Sequence, residues 1–168
     1  MTEPYGCLHT PMLALRSMLS EVAAWQTWCG VDTAEAAAAR VHRMTVEIAG
    51  RETGPSAPEW PFAVVSMGPA WQSEAVGAGP AGGPYQETGD VYLAFEDAAD
   101  PSETVRETLT RFMNRASAVL DGLRTLSGTG TYLNIVRMTQ RATPGVFQPE
   151  KQAAAPRVQA AYLVEFGP

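Results

Sequence analysis

Lysine is almost absent from this sequence: eleven of its twelve basic side chains are arginine, and Lys151 stands alone. With eighteen carboxylates the formal charge is −6, which disfavours a general nucleic-acid-binding surface. Charge as a whole is scarce, at 18% of residues against the usual ~25%. No run approaches the roughly 18 uninterrupted apolar residues that span a bilayer, so no membrane partner is expected. Residues 1–24 hold Glu3 and His9 but no basic cluster ahead of their apolar part, which argues against a signal peptide. Two cysteines, Cys7 and Cys29, do not make a disulfide scaffold, and free thiols in a reducing compartment are the expected state.

The residues of catalysis are equally thin. Neither His9 nor His42 has a cysteine, histidine or carboxylate at metal-ligand spacing; Glu35 stands a full seven residues before His42. Cys29, at the helix end Trp28-Cys29-Gly30, has no spaced histidine and reads as a buried structural thiol rather than a nucleophile. No G-x-S-x-G elbow occurs. The glycine-rich stretch Gly77–Pro84 lacks the Lys-Ser/Thr and the following helix of a phosphate loop. Glu96, Asp97, Asp100 and Glu103 crowd the passage from a strand to a helix, where carboxylates commonly serve the helix dipole; a hard-cation site is the weaker reading. The expectation is no enzyme, no cofactor and no metal.

What is present is 45% apolar residues in a chain of a length suited to one domain over 1–168, with its own core. Residues 1–10 read as an extended or frayed lead. Pro11, behind Thr10 as N-cap, opens a helix in which Leu15, Met18, Leu19, Val22 and Trp25 or Gln26 recur at helical spacing until Gly30. Asp32 or Thr33 then caps a shorter alanine-rich helix from Ala34 to about His42, whose Ala36–Ala39 run permits close approach of another backbone. Strands are expected at 45–48, 61–67, 70–76 and 90–96, the last two forming a long hairpin that protrudes over 68–90. Asp100 or Ser102 caps the strongest helix, with Val105, Leu109, Phe112, Met113, Ala116, Leu120, Leu123 and Leu126 as its apolar stripe. Arg106, Arg111, Arg115 and Arg124 lie largely off that stripe and are expected to meet acidic partners or solvent.

Strands at 132–139 and 158–166 close the chain. Between them, 142–156 carries three prolines and reads as a long loop or an extended hairpin. Strands grouped around one long helix indicate an α+β fold: a mostly antiparallel sheet with a long helix packed across it, an N-terminal helical pair and an extended hairpin.

Trp60, Trp71 and Tyr85 stand in or beside the loops and the hairpin rather than in the helical stripes. Two readings fit them: the rim of the core, or anchors in a protein–protein interface, where Trp and Tyr are enriched. With Gly79 and Gly82 of the hairpin tip they make up the candidate interface, since projecting strands supply edges for pairing with a neighbouring chain.

The segments Trp25-Gln26-Thr27-Trp28-Cys29-Gly30, Ala38–His42 and Pro61–Val65 follow one another in a particular order. They are followed by G-D-V-Y-L-A-F-E at 89–96, F-M-N-R-A-S-A-V-L-D-G-L at 112–123 and the terminal A-A-Y-L-V-E-F-G at 160–167. Over roughly residues 11–167 this order of elements resembles the tail terminator (tail completion) proteins of long-tailed bacteriophages. The resemblance implies an α+β protomer in a homo-oligomeric ring of six that caps the tail tube, stops its polymerisation and docks to the head-completion (connector) complex. It implies localisation in the virion tail or neck, with host cytoplasm during assembly, DNA only as passing cargo and no catalytic residues. The 142–156 segment has no place in that pattern. The alternatives are a neighbouring neck or head-completion protein, and a small-ligand-binding or enzymatic α+β domain.

Overall fold

The computed structural model describes residues 10–43, 59–75, 85–129, 134–147 and 156–167. Three helices lead, α1 (Thr10–Glu21), α2 (Ala23–Cys29) and α3 (Ala34–Ala38), followed by strands β1 (Val41–Arg43), β2 (Phe62–Ala75) and β3 (Tyr85–Ala98). The long helix α4 (Val105–Leu126) and strands β4 (Asn134–Phe147) and β5 (Arg157–Gly167) complete the described elements. One five-stranded sheet has the order β1-β2-β3-β5-β4, antiparallel throughout except for β1 beside β2. The fold is α+β, with α4 packed across the sheet.

Period-two alternation decides which face the helices cover. Ala63 and Val65 of β2, Val91, Leu93 and Phe95 of β3, and Val158, Ala160, Tyr162, Val164 and Phe166 of β5 are all buried. They form one cluster with Met12, Leu15, Met18, Leu19 and Val22 of the N-terminal helices and with Phe112, Ala116, Val119, Leu120 and Leu123 of α4. Trp25 and Trp28 stand at its centre, with ring centroids 5.6 and 5.4 Å from Phe95 and with Trp28 edge-on to Phe112 at 5.3 Å. Both spacings lie in the favourable range for aromatic pairs.

The structure corrects the sequence reading at several boundaries. The expected N-terminal helical pair is three helices. The first helix breaks at Val22, whose extended backbone (ψ 115°) starts α2, while Gln26 donates to the Ser20 carbonyl left free there. The alanine helix stops at Ala38, and His42 lies in β1 rather than at a helix end. Its small residues admit their neighbours closely: the Ala37 and Ala38 carbonyls accept from Trp25 Nε1 at 3.2 Å and Arg16 Nη2 at 3.2 Å. The strand expected at 45–48 lies outside the described residues.

Segments 61–67 and 70–76 are not two strands but largely one. Met67 faces Val91 and Trp71 faces Gly89, so Gly68, Pro69 and Ala70 oppose Asp90 alone as a bulge. The Gly-Pro pair that reads as punctuation sits inside the bulge, where a missing N–H costs no ladder bond. Any Cβ at Gly68 would collide with the Asp90 backbone, 2.8 Å from its carbonyl oxygen.

Helix α4 is capped neither by Asp100 nor by Ser102. Thr104 and Glu107 form a reciprocal capping box, the signature T-x-x-E. Val105 is 61% exposed because it sits in the first turn, beyond the helix layer, while Val119 joins the buried stripe.

Of the two readings of 142–156, the long loop is corrected and the extended hairpin agrees with the described residues: β4 continues to Phe147 antiparallel to β5, and only 148–155 lie outside the described residues. Pro144 is tolerated because β4 is the last strand of the sheet and the ladder is broken there: Ala142 faces Ala161 and Gly145 faces Gln159.

Helix α4 approaches the α1–α2 break through Gly122, where a methyl group would collide with Val22 Cγ1. Gly122→Ala gains up to about 1 kcal/mol of helix propensity. It overpacks a stiff, buried β-branched residue, which typically costs about 1–3 kcal/mol. A net loss is expected in chemical denaturation, and Gly122→Ala with Val22→Ala should cost less than the two single changes summed. A stabilised Gly122→Ala would place α4 farther from Val22 than described.

Candidate functional site

The hairpin outruns its own sheet. β2 and β3 pair from Phe62↔Glu96 to Ala75↔Tyr85, whereas β5 accompanies β3 only from Gly89↔Phe166 to Ala98↔Arg157. Gln72–Ala75 and Tyr85–Thr88 therefore continue as a two-stranded arm beyond the row of Trp71, Gly89 and Phe166. At ~3.3 Å per residue the arm extends by roughly 13 Å. Among the described residues, β3 is the only strand paired with β2 beyond Val65.

The candidate interface residues do not all fall on this arm. Tyr85 does, opposite Ala75 toward the tip, and Trp71 stands at the arm's base, opposite Gly89 in the sheet's last row. Gly79 and Gly82 lie outside the described residues. Trp60 is elsewhere, just ahead of β2 at the opposite end of the hairpin. It is half-buried, its ring packs edge-on against Phe62 at 6.2 Å, and its carbonyl accepts from Arg40 Nη1 at 3.2 Å. That position is a core rim, and about ten residues of extended strand separate it from Trp71.

At the same end as Trp60, the acidic crowd at the β3–α4 passage is an ion-pair cluster. Alternation from Phe95 puts Asp97 on the helix-covered face and Glu96 on the other. Asp97 is buried and its Oδ2 accepts from Trp28 Nε1 at 2.8 Å and from Arg115 Nη1 at 3.3 Å, with Arg111 Nη1 at 3.5 Å. Its Oδ1 takes the Ala98 amide at 2.8 Å. Glu103 accepts from Arg111 Nε and Nη2 at 2.9 and 3.0 Å, and Glu96 pairs with Arg157 at 3.4 Å. Two of the arginines expected to seek acidic partners thus find them within the chain, as does Arg124 with Asp121.

Shallow depressions flank this cluster. One is lined by Arg106, Glu107, Thr110, Arg111, Asn114 and Arg115, the other by residues around Asp100 and Pro101. Their shared cations, Arg111 and Arg115, are already committed to Asp97 and Glu103, so neither depression offers a convergent set of free polar groups. Burial pushes the Cys29 thiol up to about 12, far from a nucleophile's range. Among the described residues no group of three or more His, Cys, Asp or Glu side chains is placed to hold a metal ion.

The Asp97 link was within reach of the sequence, since strand periodicity from Phe95 carries it inward. Its partner Trp28, 69 positions away, had no sequence signal. No protein-family model matches the chain, and no curated protein matches it.

Removing Asp97 leaves Trp28 without its acceptor and two arginines without their shared anion. Asp97→Ala should cost about 3 kcal/mol in denaturant unfolding. Asp97→Asn should cost less, because its amide oxygen still accepts from Trp28. Equal losses would show that the ion pairs, not the indole bond, carry the effect.

Acid should unfold the protein through the surface carboxylates. Hydrogen bonds from Arg111 hold Glu103 below its ordinary value, Thr104 does the same for Glu107, and Arg137 for Glu165. Folded values below unfolded ones mean stability present above about pH 4.5 and lost as pH falls through the folded values. The thermal midpoint should drop on acidification below that point, and more shallowly in Glu103→Gln. Parallel wild-type and Glu103→Gln curves would sink the assignment.

Proposed function

We propose that this chain is a structural protein of a tailed-phage virion, assembling as a homo-oligomeric ring of six that caps the tail tube and joins it to the head-completion complex. The observation that carries the reading is the two-stranded arm at Gln72–Ala75 and Tyr85–Thr88. It leaves the sheet and carries strand edges outward, the feature a subunit needs to reach its neighbour. The order of elements that resembles tail terminator proteins supports the reading. So does the use of the charged clusters within the protomer, where they bind one another rather than a substrate.

Duplex DNA is cargo in this reading. Each chain carries a net charge of −6. Six of its twelve basic residues, Arg40, Arg111, Arg115, Arg124, Arg137 and Arg157, each lie against a carboxylate of the same chain, which weakens their grip on phosphates.

The test is to add the purified chain to a polymerising tail-tube protein from the same genome. Elongation should stop, and electron microscopy should show ring density at one end of each tube. Tubes that reach the same lengths with bare ends would refute capping, as would a gene neighbourhood without any tube protein.

A further inference from the structure

We infer that copies of this chain join head to tail, the arm of one copy adding as a strand to the outer edge of β4 in the next. The inference deepens the ring reading and rests on it, naming the contact. β4 ends the sheet, so among the described residues its outer backbone edge pairs with no other strand. Such an edge is a template for another chain unless it is blunted. It also bears two exposed large apolar side chains, Val136 at 63% and Phe147 at 47%.

Most of β4 is in fact blunted. Its register against β5 slips between Ile135 and Arg137, between Gln140 and Ala142, and between Ala142 and Gly145, where Pro144 adds a missing donor. The regular stretch is Arg137–Gln140, facing Glu165, Leu163 and their neighbours in unbroken register. Four residues suit a short arm and are too few for two whole β4 strands to pair along their length.

Charge selects the arm as the occupant. Residues 134–147 contain Arg137 and Arg141 and no acidic residue. Arg137 is paired with Glu165, and Arg141 also acts on that carboxylate, so two arginines share one anion and the edge keeps an excess of positive charge. The arm strands 72–75 and 85–88 contain Glu74 and Glu87 and no basic residue. Pairing β4 with β4 would oppose two cationic edges, and pairing arm with arm would oppose two anionic ones. Arm on β4 is the complementary combination, and like charges placed opposite each other destabilise strand pairs. A contact between two different surfaces is heterologous, so it propagates from copy to copy and closes as a ring when the rotation permits. A symmetric edge-to-edge contact would stop at a dimer.

The test is a charge exchange read by light scattering on the full chain, with thermal melts to verify folding. Glu74→Lys with Glu87→Lys reverses the arm, and Arg141→Glu reverses the edge. Each alone should raise the concentration needed for assembly about tenfold or more. Mixing the two variants should restore the large assembly with the two alternating, because the arm of each is complementary to the edge of the other. Combining all three changes in one chain should restore the large assembly. If the wild type assembles and Arg141→Glu assembles equally well, or if the triple variant stays monomeric, the arm-to-edge contact is wrong while the ring reading stands. A wild type that is monomeric both alone and with tube protein overturns both.

Discussion

The hydrogen bond from Trp28 to Asp97 is the interaction on which the packing depends. It joins α2 to the end of β3, and the same carboxylate draws Arg111 and Arg115 of α4 onto it. One anion therefore sets the distance between a short helix, a central strand and the long helix. The aromatic cluster beneath it can close only with the indole in this orientation, since Trp28 touches Trp25, Phe95 and Phe112 at once. A buried carboxylate is expensive unless its lone pairs are used, and here Oδ1 takes a backbone amide while Oδ2 takes the rest.

That constraint divides the molecule into two ends. Toward Asp97 the sheet is covered, its charges are paired and Trp60 closes the rim against Phe62. Toward Gly89 the β5 and β4 ladders finish while β2 and β3 continue. The bulge at Gly68–Ala70 stands at the changeover, and bulges bend a strand and increase its twist, which re-aims whatever follows. The ordered end is built to hold together, and the arm is built to leave.

The open β4 edge and the projecting arm are the two surfaces on which the assembly reading rests, and they differ in kind. An edge exposes backbone groups in fixed register; an arm supplies them on a ribbon that is marginal without a partner. Pairing the two would satisfy both. The charge difference between them, carried by a handful of arginines and glutamates in a sequence otherwise poor in charge, then discriminates among possible partners.

Much of this architecture was legible in the residues themselves. Helical spacing from Leu15 to Trp25, the stripe containing Phe112 and Leu123, and the alternation of Val91-Leu93-Phe95 and Val158–Phe166 identified the buried faces, because periodicity records which side of an element meets the core. The T-x-x-E box of Thr104 and Glu107 is equally a local signal, competing in the sequence with the capping residues Asp100 and Ser102 just before it. What local pattern could not supply were features decided between distant segments: the single continuous β2 through a Gly-Pro pair, and the strand character of His42 and of Ala142–Phe147. The same holds for the pairing of Trp28 with Asp97, and for the point at which β5 ends and the arm begins. A bulge is defined by its partner strand, a strand end by where its neighbour stops, and a buried ion pair by the meeting of three elements. The amino-acid sequence alone determined the faces that must be buried; only the tertiary structure decided which edges are left open, because an edge exists only once the other strands have taken their places.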